Sequence, residues 1–551
     1  MAAGTRALRL HETFLEAPAL PPPPTRHALL AFLIVLAAIL HIGTVGWSEI
    51  QNGAEGSYAS TARALWRAET WTTTEPPLHD WLTIASYKCF GATAVGARLP
   101  VALAMVASIA LTFLIGERIG GYWRGFVAGL IHLCAFGSFL WARLATPEPL
   151  FAACLGGTIF CALFGYQEQR RRRFWFAAAW VGVALACLTK GVAGLVFPGA
   201  LFLLLALCFR PARMRFRLLL HWSNLLLFLA IVLPWLAWVQ WHEPTFLREF
   251  ASSSWLLPSA HLRRLSDGGV SFLWFKTSHF LWWFPAVFLV FPGVCFGWRK
   301  VIRPSEFDFA DALPLGWMAI GFLPCLFDSH RQYFDSMSCW SAWALFAAMA
   351  WERSPRELRM AGLALTALAG AAVTGAAALN FNLLPPIPPD LGLSVKSVLI
   401  LAGACVLFFA LIAAYFSARD RETLAIALVL LGMVPVGLAA AEGLARYGKF
   451  LSFANAAGLL QQRLGERGEV LFEDSPLAGS SLNFYLDRPP LLVQAAAGPG
   501  PVIEKLARRQ PVYLIIRADR VPYWQEELTE RFHLYHQEAI CGNYVIVSNE
   551  P

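Results

Sequence analysis

Charged residues are scarce in this chain: they form 15% of its 551 residues, while 57% are hydrophobic and the mean hydropathy is +0.53. Soluble domains usually carry about a quarter of their residues as Asp, Glu, Lys or Arg. The shortage of charge therefore argues against a water-soluble globular protein and indicates a membrane protein. The net charge of +8 does not predict a nucleic-acid partner, because the arginines stand in short clusters between apolar runs.

Several other signals are missing. The 11 cysteines lie mostly inside apolar runs without metal-ligand spacing, which predicts small buried side chains. No internal repeat at a solenoid period is evident. The first residues do not have the basic and apolar regions of a secretory signal, so we predict a disordered cytoplasmic tail over residues 1–26.

Apolar runs long enough to cross a bilayer occur about thirteen times. They are predicted at residues 28–45, 101–116, 126–141, 150–165, 175–188, 192–208, 218–239, 270–296, 313–327, 337–350, 361–379, 398–416 and 423–441.

Every second connection between these runs is basic, as in the cluster Arg170–Arg173. The positive-inside rule places such connections and the N-terminus in the cytoplasm, and an odd number of spans places the C-terminal region outside. Beyond residue 441, short strands predicted at residues 468–472, 491–493, 512–517 and 544–547 alternate with helices predicted at residues 454–464, 502–508 and 523–531, without a glycine-rich phosphate loop. We therefore predict a polytopic α-helical membrane domain over residues 27–441 and a small extracytoplasmic α/β domain, with a partly parallel sheet, over residues 442–551.

The predicted outer loops collect polar residues next to apolar runs. The long first outer loop, residues 46–98, contains a stretch with helical spacing, residues 54–67, with Tyr58 on its apolar side, which predicts a helix lying on the membrane surface. A second outer loop, "ATPEPL", places Glu148 at the start of a span, and "LTKGVAG" places Lys190 between two spans. A fifth outer loop contains "DSHRQYFDS". Charged groups at such positions tend to line a cavity or a substrate path.

These residue types suit transfer of a sugar from a lipid phosphate. The reaction needs cations to hold the phosphate leaving group and a carboxylate to take a proton from the acceptor. The available cations are Lys190, Arg98, Arg263 and Arg264. The available carboxylates are Glu55, Glu75, Asp80 and Glu148. Each also has a purely structural interpretation, as a solvated helix face, a helix N-terminus or an interfacial anchor.

The order "AEGSYASTARAL", "TEPPLHDW", "GARL", "RLATPEPL" and "LTKG" resembles the family 39 glycosyltransferases of the GT-C class, which include protein O-mannosyltransferases and bacterial aminoarabinose transferases. The resemblance implies a polyprenyl-phosphate sugar donor and transfer with inversion at the outer face. By position, Glu55 matches the second acid of the family's acidic pair, and Glu148 matches the acid of its "DP" motif. Lys190 and Arg98 match the family's "TKG" lysine and the arginine that opens its second span.

Two departures from the family pattern concern the site. Ala54 stands where the family carries the first acid of its pair, which is usually assigned as the base. Glu75 of "TEPP" stands where the family carries a lysine, unless that lysine is deleted. Either Glu55 or Glu75 has taken over as base, or the enzyme is altered or inactive. A carboxylate moved by one helical residue points about 100° away.

We therefore predict a bacterial inner-membrane glycosyltransferase, with a non-catalytic relative or a lipid-linked sugar transporter as alternatives. Its predicted partners are a polyprenyl-phosphate sugar donor, membrane lipids and a lipid, glycan or protein acceptor, with no nucleic acid. No cofactor is required by the sequence, although a divalent metal is compatible with it. The predicted catalytic residues are Glu55, Glu75 and Glu148. The predicted donor-binding residues are Lys190, Arg98, Arg263, Arg264 and Tyr58.

Overall fold

The computed structural model of the chain describes residues 23–549, except 72, 74, 169, 247, 249–269, 328–330, 380–388, 449, 466–467, 494–498, 508–509, 530–534 and 542–543. Residues 1–22 of the predicted tail thus lie outside the described part. In the described part of residues 23–448 the regular elements are helices, and an α/β domain follows them. This domain packs against the segment that joins the first two long helices, and we call that side of the bundle the domain-bearing end.

The helices of the bundle are numbered here in chain order. They are α1 Pro23–His41, α2 Ala54–Arg67, α3 Leu78–Phe90, α4 Ala94–Gly120, α5 Tyr122–Cys134, α6 Phe136–Leu140, α7 Glu148–Gln167, α8 Arg172–Lys190, α9 Ala193–Cys208, α10 Arg210–Phe216, α11 Trp222–His242, α12 Phe272–Trp282, α13 Ala286–Phe296, α14 Trp298–Ile302, α15 Phe309–Phe327, α16 Trp340–Arg353, α17 Arg356–Ala378, α18 Pro389–Ser417, α19 Glu422–Leu431 and α20 Met433–Gly448.

The chain is a multi-span membrane protein. Within the described residues, nine helical segments are long and apolar enough to cross a membrane, and α12 with α13 forms a tenth that is bent by 106°. The three remaining predicted spans coincide with α5, α9 and α16, which have 13, 16 and 14 residues. At about 1.5 Å per residue these three helices are shorter than a hydrocarbon core of about 30 Å.

Helix α4 forms part of the bundle core, where it packs against α5 and α7. Its start is fixed by Thr93, whose hydroxyl accepts a hydrogen bond from the Gly96 amide at 3.1 Å. Apolar side chains lie on all sides of this helix, as expected for a helix in a membrane. Its Phe113 side chain is fully buried. Arg98, near the start of α4, donates to backbone carbonyls within residues 45–49 and so holds the N-terminal part of the first long loop on the bundle.

The C-terminal domain contains a five-stranded sheet with the order β2-β1-β3-β5-β4. Its elements are α21 Ala454–Arg463, β1 Glu469–Phe472, α22 Ser480–Tyr485, β2 Leu491–Leu492, α23 Gly500–Leu506, β3 Val512–Arg517, α24 Val521–Thr529, β4 Tyr535–Cys541 and β5 Tyr544–Ser548. Strand β1 pairs in parallel with β2 and β3, while β5 pairs antiparallel with β3 and β4. The sheet is therefore partly parallel, as the sequence predicts. Apolar clusters around Phe472 and around Leu514 cover its two faces.

Candidate active site

Lys190 is the centre of a buried ionic cluster at the domain-bearing end of the bundle. Its Nζ lies 3.0 Å from Oε1 of Glu148 and 3.9 Å from Oδ1 of Asp335. Both carboxylate side chains are almost completely buried, whereas 11% of the lysine side chain remains accessible. Buried charges are costly unless they are paired. Glu148 and Asp335 therefore face the same ammonium group.

The position of Lys190 follows from the end of α8. Lys190 is the last residue of this helix, where the partial negative charge of the helix end favours a cation. The next residue, Gly191, has φ 62° and ψ −137°. This conformation is essentially restricted to glycine. The "TKG" sequence therefore ends the helix and turns the chain directly after the lysine.

Glu148 is the first residue of α7 and is followed by Pro149. Proline suits the first turn of a helix, where an N–H lacks an intrahelical partner, and an acid there is favoured by the helix dipole. The Lys190 Nζ also lies 5.7 Å from the centroid of the Phe151 ring, which belongs to the same first turn. The structure thus brings together two residues that the sequence singled out separately.

Asp335 was not selected from the sequence. It begins a short 3-10 helix, Asp335–Cys339, and its Oδ2 accepts a hydrogen bond from the Gln332 amide at 2.7 Å. A signal was available, because Asp335 is a carboxylate directly before an apolar run, as Glu148 is. What the sequence did not reveal is that this loop meets the end of α8.

Glu55 and Arg98 are also brought together, but they bind each other and not Lys190. The Arg98 Nε and Nη2 donate to the two carboxylate oxygens of Glu55 at 2.6 and 2.9 Å. Arg98 donates further to backbone carbonyls within residues 45–49, and Glu55 accepts from the amides of Gln51 and Ala145. Each residue is 2% exposed. The pair therefore fixes the first long loop to the turn that precedes Glu148.

The other predicted residues of the first long loop lie in or before α2 and α3. Tyr58 is buried, with its ring centroid 5.4 Å from that of His79, and His79 Nδ1 lies 3.4 Å from Oδ1 of the buried Asp80. Glu75 is half-buried in the segment before α3, and its amide donates to the Thr73 hydroxyl at 3.1 Å. Helix α3 packs against α8, the helix that carries Lys190.

Helix α2 has the predicted bounds but does not expose its apolar side to a membrane surface. Tyr58 and Ala62 are buried inside the protein. The C-terminal domain packs on this helix through α22: the Ser480 hydroxyl accepts from the Gly53 amide at 2.9 Å, and the Ser481 hydroxyl donates to the Asn52 side chain at 2.6 Å. The small residues at the start of α2 permit this close approach, so protein covers the face that the sequence assigned to lipid.

Charged and phenolic groups complete the contact between the domain and the first long loop. Arg67 and Arg63 donate to the Asp487 carboxylate, and the hydrogen bond from Arg67, followed by the charges of both arginines, lowers the pKa of Asp487. The Tyr485 hydroxyl accepts from the Ile50 amide and donates to Glu49, both at 2.8 Å. Burial raises the pKa of the Tyr485 phenol, and the nearby Glu49 carboxylate adds to the effect.

The described part of the chain includes neither Arg263 and Arg264 nor a cluster of side chains that could hold a metal ion. Arg263 and Arg264 lie within residues 249–269, outside the described residues. Among the residues that are described, no group of three or more His, Cys, Asp or Glu side chains is placed to hold a metal ion. Divalent cations such as Ca²⁺ prefer six or more oxygen ligands, and both carboxylates of the ionic cluster already face Lys190. We therefore assign no reaction step to a metal.

Comparison with known proteins relates this arrangement to one fold. Residues 74–238 match the family model described as dolichyl-phosphate-mannose-protein mannosyltransferase. An uncharacterised protein of Aquifex aeolicus (strain VF5) is 31% identical over 189 residues, a match that covers 32% of this chain and only 38% of that relative.

Solved structures match over almost the full length. The apo structure of ArnT from Cupriavidus metallidurans has a TM-score of 0.78 and 20% identity, covering 95% of this chain and 98% of ArnT. ArnT bound to undecaprenyl phosphate has a TM-score of 0.77 and 21% identity, covering 94% and 97%. The fold that the resemblance implies is thus confirmed: the chain has the fold of ArnT, and its residues 74–238 are similar to the mannosyltransferase family model.

Proposed function

We propose that this protein is a glycosyltransferase that moves a sugar from a polyprenyl-phosphate donor to an acceptor at the domain-bearing end of the bundle. The observation that carries the proposal is the buried cluster of Lys190, Glu148 and Asp335 in a chain with the fold of ArnT. A structure of ArnT with bound undecaprenyl phosphate supports a lipid phosphate as the common part of the donor. The sugar and the acceptor are left open by this reasoning.

Lys190 is the cation that we assign to the donor phosphate. An ammonium group has three N–H donors. The Lys190 Nζ lies within hydrogen-bond distance of Glu148 at 3.0 Å, whereas Asp335 at 3.9 Å is an ion-pair partner only. The accessible part of the side chain leaves a donor for a phosphate oxygen. Such a bond strengthens as the bond between the sugar and the phosphate breaks and negative charge grows on the leaving group.

Glu75 is the residue that we propose as general base. The carboxylate of Glu55 is occupied by two bonds from Arg98 and two from backbone amides, so its protonation would break a buried ion pair. Glu75 is half-buried on a segment next to α3, which packs on the helix of Lys190. In the proposed reaction Glu75 takes the proton of an acceptor hydroxyl or amine, whose oxygen or nitrogen bonds to the anomeric carbon as the phosphate leaves. Glu148 orients the acceptor.

The domain-bearing end is proposed to face outward from a bacterial inner membrane. Basic loops alternate along the sequence in the pattern that the positive-inside rule assigns to the cytoplasm. A reporter enzyme that is active only in the cytoplasm, fused after residue 551, tests the orientation. We expect no reporter activity; an active reporter would reverse the proposed sidedness.

A transfer assay tests the function itself. Purified protein is given labelled polyprenyl-phosphate sugars and membrane extracts as acceptors. We expect Glu75→Gln to lower kcat by at least about 100-fold, the usual contribution of a general base. Lys190→Met should lower kcat and also raise the KM for the donor, because the lost bond is strongest in the transition state. Glu352→Gln is the matched control, because Glu352 is 55% exposed and pairs with Arg124 away from the cluster.

Three outcomes would contradict the proposal. Full activity of Glu75→Gln and Glu148→Gln would remove the assigned site. Donor binding without transfer by the wild type, across all donors, would favour a non-catalytic relative. Movement of intact donor across vesicles would favour a transporter.

A further inference from the structure

We infer that Asp335 is a positioning residue, which keeps the Lys190 ammonium in place when Glu148 engages a substrate. The inference rests on the proposed function and assigns a role to a residue that sequence patterns did not select. Asp335 Oδ1 lies 3.9 Å from the Lys190 Nζ, on a different structural element from Glu148. The amine therefore has one close partner and one more distant partner.

The turn that carries Asp335 is fixed by groups that do not involve Lys190. The Ser336 hydroxyl lies 2.6 Å from the His279 Nε2 and accepts from the Trp340 Nε1 at 3.1 Å. The Trp317 Nε1 donates to the Ser338 carbonyl at 2.9 Å. All these groups are buried. Residues of three helices thus hold this turn, and the Gln332 amide binds the Asp335 Oδ2 at 2.7 Å, so the carboxylate has a support besides the lysine.

The charges of the cluster explain why a second carboxylate is useful. A buried ammonium that loses its counter-charge is strongly disfavoured. If Glu148 alone balanced Lys190, a Glu148 carboxylate that turned to an acceptor hydroxyl would leave the amine uncompensated. Asp335 retains a negative charge within 4 Å, the contact already present in the structure. Lys190 can therefore stay directed at the donor phosphate throughout the reaction.

A double-mutant cycle tests this role. Steady-state kinetics are measured for wild type, Asp335→Asn, Lys190→Met and the double variant. We expect Asp335→Asn to lower kcat about 10- to 100-fold, the effect of a misplaced catalytic group, with a smaller change in the donor KM. In the Lys190→Met background the same substitution should have no further effect, because the ammonium group that Asp335 positions is absent. Asp335→Glu should recover part of kcat.

Equal loss in both backgrounds would overturn the inference, because a merely structural role of Asp335 acts whether or not Lys190 is present. If Asp335→Asn does not fold, Asp335→Ser replaces it in the cycle. Asp420→Asn is the control, since Asp420 is exposed and pairs with Arg356.

A second measurement does not depend on activity. The rate at which an acylating reagent labels Lys190 is followed by mass spectrometry in the folded protein. We expect faster labelling in Asp335→Asn, because one of the two carboxylates that hold the amine is removed, and an unchanged rate in Asp420→Asn. An unchanged rate in Asp335→Asn would contradict the inference even if transfer is observed. Faster labelling without transfer by any variant would refute the proposed function alone.

Discussion

The Glu55–Arg98 pair and the Lys190 cluster are similarly buried, but their cations differ in how many hydrogen-bond partners they have. Arg98 faces one carboxylate and several carbonyls, which saturate it, whereas Lys190 faces two carboxylates and keeps accessible surface. The N–H groups of Arg98 are all used in these hydrogen bonds, so the pair offers no donor to a substrate. The structure thus supports a structural role for Glu55 and Arg98, and it supports a role in chemistry for the Lys190 cluster.

Removing one partner of the saturated pair should destabilise the protein. We expect Glu55→Gln to lower the free energy of unfolding by about 3–5 kcal/mol, because it leaves the buried Arg98 without its counter-charge. The measurement is thermal unfolding in detergent. Glu75→Gln is the matched control, and its melting temperature should stay close to that of the wild type. A stable but inactive Glu55→Gln variant would instead restore Glu55 as a candidate base.

Among the structural elements, α2 connects the C-terminal domain to the proposed site. One side of this helix packs on α22 and another on α3. A Cβ added to Gly56 would lie 2.6 Å from the Ser480 hydroxyl oxygen and 2.7 Å from the Ser481 amide nitrogen. The contact between the two helices therefore depends on the absence of a side chain at Gly56. The domain holds in place the loop that also carries Glu75.

The variant Gly56→Ala should loosen this contact. Overpacking of a closely packed site typically costs about 1–3 kcal/mol, and backbone atoms of α22 cannot move aside cheaply. Hydrogen exchange of residues 480–487 should become faster. The control is Gly443→Ala, because a Cβ there meets no atom within 4 Å. Equal exchange in Gly56→Ala and wild type would show that α22 tolerates the added methyl group.

In the molecule as a whole, the domain and the bundle are joined by groups that titrate. Tyr485 must stay protonated to donate to Glu49, and burial raises its folded-state pKa above the ordinary value of 10.0. The stabilisation of the folded state by the protonated Tyr485 is therefore fully present below about pH 10, the pKa of an unfolded tyrosine. It is lost as the pH rises through the folded-state pKa of Tyr485.

An alkaline titration tests this dependence. The melting temperature of the wild type is compared with that of Tyr485→Phe, which lacks the phenolic proton. We expect the advantage of the wild type to be constant at neutral pH and to shrink above about pH 10. A difference that is independent of pH would show that the Tyr485 hydroxyl contributes nothing that depends on its proton.

Much of the architecture was readable from sequence because it depends on local patterns. Strand β3 and helix α2 have the predicted bounds. The apolar run of β3 and the helical spacing of α2 each lie within one short segment of the chain. Strand β4 was missed, although it pairs at the sheet edge with β5. Helix α22 was missed as well, because its six residues are too few to show a helical period.

The sequence by itself determined that the chain is a multi-span helical membrane protein and that Glu148 and Lys190 stand at span ends. These properties depend on hydropathy and residue order. The tertiary structure alone decided the pairing: Arg98 with Glu55, and Lys190 with both Glu148 and Asp335. Ion pairs between distant segments form only where helix packing brings the helix ends together, and no local pattern encodes that meeting.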